Sequence, residues 1–123
     1  MIALAVAVAL SPAAFAGENR SAEEVNALMT DKTFDGVYIP KNKQFSAYEA
    51  PDGTHNVLRP SGKRDKGRKW WVNDKGQHCT THKKYPEGRC AYVQDAGNGE
   101  YHKINDSGEH THTLTNFRDG NQL

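Results

Sequence analysis

Lys69-Trp70-Trp71-Val72-Asn73-Asp74-Lys75-Gly76-Gln77-His78-Cys79-Thr80-Thr81-His82, continued after a short basic loop by Arg89-Cys90-Ala91-Tyr92, is the stretch on which the fold turns. It holds both tryptophans and both cysteines of the 123-residue chain. The Trp-Trp-Val run favours a strand, and Asn-Asp-Lys-Gly favours a turn, so residues 68–72 and 77–82 form a hairpin. Alternation along the first strand sends one tryptophan to the core and the other to the opposite face. Cys79 and Cys90 predict one disulfide. In the chain-entropy picture, closing so short a loop stabilises the fold by roughly 3 kcal/mol. A rival arrangement, a metal site built from His78, Cys79, His82 and Cys90, lacks the paired C-x-x-C spacing that zinc favours.

Outward from this hairpin the pattern stays β-like. Before it lie strand runs at 34–39, 44–50 and 55–59, the last two joined by the strong turn Pro51-Asp52-Gly53-Thr54. Residues 61–67 are polar, basic and flanked by glycine, and they read as a loop, as do 83–87. Behind the hairpin come strands at 89–94, 100–105 and 109–116, cut by Asp95-Ala96-Gly97-Asn98-Gly99 and Asp106-Ser107-Gly108. Only one helix is predicted. Ser21-Ala22-Glu23-Glu24 is a capping box, and Ala22, Val25, Leu28 and Met29 form an apolar stripe that ends near 30–32. A helix this short cannot stand alone and must pack its stripe on something. The expected class is therefore mainly β: an antiparallel meander of about eight strands closing into a small barrel or a strongly curled sheet, with one short N-terminal helix plugging an end or covering an edge.

The segment Ile2-Ala3-Leu4-Ala5-Val6-Ala7-Val8-Ala9-Leu10-Ser11-Pro12, followed by Ala14-Phe15-Ala16, has the apolar run and small-residue cleavage pattern of a secretory leader. Residues 1–16 are expected to be a signal peptide and 17–123 a single β-rich domain. The positive residues that usually open such a leader are missing, since no Lys or Arg precedes Arg20. The run falls short of the roughly 20 apolar residues that span a bilayer. A periplasmic or secreted location follows, and it agrees with a disulfide.

Net charge is +1, but the cations are concentrated in one region. Residues 59–89 hold Arg59, Lys63, Arg64, Lys66, Arg68, Lys69, Lys75, Lys83, Lys84 and Arg89 against Asp65, Asp74 and Glu87, while both flanking segments are mildly acidic. Lys63, Arg64, Lys66, Arg68 and Lys69 beside Trp70 and Trp71 make a candidate surface for an unknown small molecule, an anionic glycan or a protein, with cation–π contacts contributing. The plainer alternative is a solvated loop whose lysines protect a sheet edge. No nucleic-acid-binding motif is present. A second candidate lies in the last hairpin. His110 and His112 share a strand face by alternation, and if Asn105 pairs with Glu109, His102 falls opposite His112. Three imidazoles on one face would suit Zn or Cu. A polar, solvent-facing hairpin is the alternative. No nucleophile elbow, zinc-protease helix or phosphate loop occurs, and the disulfide would leave no free thiol.

The helix ending Leu28-Met29-Thr30-Asp31-Lys32-Thr33, the turn Pro51-Asp52-Gly53-Thr54, Asn73-Asp74-Lys75-Gly76-Gln77-His78-Cys79, Gly88-Arg89-Cys90-Ala91-Tyr92-Val93 and the terminal Gly120-Asn121-Gln122-Leu123 resemble small exported bacterial proteins of the domain of unknown function 995 type. The resemblance implies an exported β-rich domain with two cysteines and supplies no catalytic residue. The functional expectation is a non-enzymatic, disulfide-stapled binding module, its ligand held at the Trp/basic region or in a cavity between sheet and helix. A metal-binding protein and a small hydrolase or inhibitor-like protein are the alternatives.

Overall fold

The computed structural model describes residues 17–123, so the expected leader at 1–16 lies outside the described residues. Helix α1 (Ala22–Met29) precedes eight strands: β1 (Lys32–Tyr38), β2 (Lys43–Glu49), β3 (Thr54–Leu58), β4 (Arg64–Val72), β5 (His78–His82), β6 (Tyr85–Gly97), β7 (Glu100–Ile104) and β8 (His110–Asp119). Each pairs antiparallel with the next, and β1 also pairs with β8, so the meander closes into a barrel. Closure leaves no free sheet edge to guard.

Helix α1 forms as its caps dictate. Ser21 Oγ accepts from the Glu24 backbone N–H, and the Glu24 carboxylate accepts from the Ser21 N–H. Val25 and Met29 are fully buried among Phe34, Ala47, Val57, Trp70, Val93 and Leu114, with Phe117 and Tyr101 packed alongside. The helix thus plugs the barrel. Its stripe supplies apolar area that the strand interiors alone do not fill. No helix among the described residues is long and apolar enough to cross a membrane.

Trp70 is buried and donates its indole N–H to the Ala50 carbonyl, whereas Trp71 is exposed on the opposite face. Trp71 stands across from Cys79, and Cys79 directly across from Cys90, to which it is disulfide-bonded. A side chain on Gly88 would collide with the Trp71 ring, and that residue's left-handed φ of +94° suits glycine alone. Gly36 has a similar role inside the barrel, where the Phe45 ring lies across the space a Cβ would take.

Two expected loops are shorter than the sequence implied. β4 begins at Arg64 and pairs with β3, so 64–67 is strand, bulged between His55 and Val57 and accommodating a left-handed Gly67. β6 begins at Tyr85, which leaves only Lys83 and Lys84 as the turn. Polar, basic composition argued for loops there, but ladder hydrogen bonds to an existing neighbour strand prevail over composition.

Candidate functional site

The barrel interior is not uniformly apolar. Strand alternation that turns Phe45 and Ala47 inward also turns Glu49 inward, and the same phase brings in His55 with Val57, His78 from β5, and Lys103 with Tyr101. All four of these polar residues are buried. Glu49 has no exposed surface, and its two carboxylate oxygens are separately engaged: one by His55 Nδ1, the other by His78 Nε2 at 2.6 Å. Burial works to raise the Glu49 pKa, yet attraction to His55 and hydrogen bonds from both imidazoles outweigh it and hold the carboxyl down at about 2. His78 moves the other way. Its burial, together with the charge of Lys103, overcomes the pull of Glu49 and brings it down to about 4. At neutral pH His78 is therefore uncharged, with Nε2–H donating to Glu49. That leaves Nδ1 as a bare acceptor, and it is buried with no partner among the described residues.

Lys103 is the second unmatched group. The residue is 5 % exposed, its backbone carbonyl accepts from Thr111 Oγ1, and its ammonium makes no hydrogen bond or ion pair with a described residue. Burial lowers its pKa to about 8 against the attraction of Glu49, and Arg89 adds to the lowering. Opposite it on β8, His112 lies near the rings of Tyr38 and Phe45, at 5.1 and 6.1 Å between centroids. Burial, then the charges of Lys103 and Arg89, hold His112 neutral, down at about 2.

His55, His78, Lys103 and His112 border a cavity of about 670 Å³, within the roughly 300–1,000 Å³ typical of small-molecule sites. Its apolar wall includes Phe34, Phe45, Val57 and Leu114. Its charged lining is one-sided: Lys41, Lys43, Arg59, Arg68, Lys84, Arg89 and Lys103 against the single carboxylate Asp65. Asp65 is already taken, at 2.8 Å from Arg59 and 3.0 Å from Arg68. Arg89 stacks on Tyr85, 4.1 Å from the ring centroid, and lies 5.8 Å from that of Tyr38. Five cations on this lining, Lys41, Lys43, Lys84, Arg89 and Lys103, thus have no carboxylate partner among the described residues. Exposed lining residues Lys41, Arg59, Ser61 and Lys84 in the β1–β2, β3–β4 and β5–β6 connections, with Lys43 and Tyr85 at the adjoining strand ends, frame the mouth.

The residues singled out by sequence are redistributed. Of the basic set only Arg68 reaches the cavity; Lys63, Arg64, Lys66 and Lys69 are exposed on the outside, and Arg64 and Lys66 border a smaller recess of about 310 Å³. Trp70 is structural, and Trp71 covers the outer side of the disulfide hairpin.

The histidine register also differs. The turn is the expected one, with Asn105 paired to Glu109 and Gly108 left-handed at φ +84°. A bulge then intervenes at Thr111, so Lys103 rather than His102 faces His112, and His102 faces Thr113. One extra residue inverts every side chain beyond it. His102 and His110 stack outside, 3.9 Å between ring centroids, while His112 points inward. The three imidazoles do not share a face, and no group of three or more His, Cys, Asp or Glu side chains among the described residues is placed to hold a metal.

Glu49, His55 and Lys103 went unread in the sequence, and His78 and Arg89 were read only as part of a rival metal site and of the basic stretch. The available signal was phase: Glu49, His55, Arg89 and Lys103 share the parity of Ala47, Val57, Ala91 and Tyr101 on their strands, whereas β5 has no apolar residue in phase with His78. Compared with known proteins, the chain matches no family model and no curated protein.

Proposed function

We propose that this protein is an exported binding module that holds a small amphipathic anion, a carboxylate or phosphate on an apolar body, inside its barrel. One observation carries the reading: a cavity of ligand size lined by seven cationic side chains and one already neutralised carboxylate, with Lys103 buried and unpaired. A buried charge without a partner is costly, and an anionic ligand removes that cost. The apolar wall gives the ligand body a place to leave water. The lowered pKa of His82, set by burial and then by Arg68, Arg89, Lys84 and Arg59, reflects the same positive potential near the mouth. The apolar leader segment and the Cys79–Cys90 disulfide support export.

Calorimetric titration with 4-methylbenzoate and with its uncharged counterpart 4-methylbenzamide tests the site. Saturable one-to-one binding of the acid, weakening as salt is raised, with the amide at least tenfold weaker, is the expected result. Equal binding of both compounds, or binding of neither, overturns the reading.

A further inference from the structure

Among the cations of the cavity, Lys103 stands apart in environment. The others sit near the mouth in contact with water or aromatic faces, or pair with Asp65. Lys103 is buried on β7 and borders the cavity, and its ammonium has no hydrogen-bonding partner among the described residues. Glu49, the carboxylate whose charge it feels, is already hydrogen-bonded through both oxygens to imidazoles. Lysine, unlike arginine, gives up its proton readily in such surroundings, and a desolvated amine is a nucleophile.

We infer that Lys103 is a carbonyl-capturing amine: the barrel binds an anionic aldehyde or ketone with its charge among the cations of the mouth and its carbonyl condensed on Lys103 Nζ as an imine. The inference rests on the anion-binding reading for the orientation of the ligand. The ammonium first loses a proton to solvent. Nζ then attacks the carbonyl carbon, the C–N bond forms, and the carbonyl π pair moves to oxygen, which takes up a proton. Departure of that oxygen as water, with the nitrogen lone pair closing the C=N bond, gives a protonated imine. In net terms an ammonium and a carbonyl become an iminium and one water, with charge unchanged and no oxidant or reductant needed. Glu49 supplies a nearby negative charge for the iminium that results.

The test is to incubate the protein with one equivalent of 4-formylbenzoate, reduce with borohydride, and map the modified lysine by peptide mass spectrometry, with 4-methylbenzoate titrated in parallel. A single secondary-amine adduct at Lys103, reduced at least tenfold in Lys103→Arg, is expected. Mapping the wild-type chain decides the matter even if that variant does not fold. Saturable 4-methylbenzoate binding with adducts absent or scattered over exposed lysines overturns imine formation and leaves the anion site standing. An adduct at Lys103 without 4-methylbenzoate binding upholds the reactive amine and removes the anion site.

Discussion

Glu49 closes β2 in phase with Phe45 and Ala47, and its carboxylate is divided between His55 and His78. Removing one member of such a buried pairing strands the others. Glu49→Leu should therefore destabilise the fold by about 3–5 kcal/mol, and Glu49→Gln by distinctly less, because the amide keeps one acceptor and gains a donor; urea unfolding measures both. Arg89→Met should leave stability nearly unchanged and weaken 4-methylbenzoate at least tenfold, since Arg89 borders the cavity without a carboxylate partner. At this scale the sequence was only partly legible. The indole alternation and the disulfide followed from residue type and spacing. The binding residues did not, because a cluster of cations in sequence, Lys63 to Lys69, alternates outward and leaves only Arg68 facing the cavity. Lys103, isolated between Tyr101 and Asn105, carries no local cue beyond its parity.

At the level of elements, the strands were readable wherever turn chemistry bounded them, as at Pro51-Asp52-Gly53 and Asn105 to Glu109. They were misread where a strand is polar throughout. Arg64 to Gly67 has neither alternation nor apolar content, and it is extended only because β3 offers it a ladder. The bulge at Thr111 has no sequence signature, yet it decides whether His112 faces inward or outward. Two predictions belong here. Reducing Cys79–Cys90 should lower unfolding free energy by roughly 3 kcal/mol while far-UV circular dichroism keeps its β signature, because seven of the eight strand pairings do not involve both cysteine-bearing strands. Gly36→Ala should cost about 1–3 kcal/mol by displacing the Phe45 ring, and the displaced ring should lower anion affinity because Phe45 lines the cavity. Both effects appear in denaturant titrations run with and without 4-methylbenzoate.

For the whole molecule, the meander and its curling toward a barrel were legible, and the pairing of β1 with β8, which joins segments at opposite ends of the chain, decides for a closed barrel over a curled sheet. The closed interior gives the protein a distinctive pH profile. His78 at about 4 and His112 at about 2 lie below the ordinary 6.5, so the unfolded chain takes up protons that the native barrel refuses. The histidine contribution is then full above pH 6.5 and is lost toward pH 4 and below, with Glu49, at about 2 against 4.5, adding a further loss below 4.5. Lys103, at about 8 against 10.5, acts on the alkaline side: the unfolded state binds more protons between those values, so stability rises there by on the order of 3 kcal/mol. Lys103→Met should be the more stable protein at pH 7 and should lack this alkaline rise when unfolding is followed from pH 7 to 10.5. The most direct measurement of all is diffraction from crystals grown with 4-iodobenzoate, where anomalous scattering locates the iodine. Iodine inside the barrel, with the carboxylate within hydrogen-bonding reach of the cavity cations, is the expected result; iodine found only on the outer surface, or none at all, contradicts it.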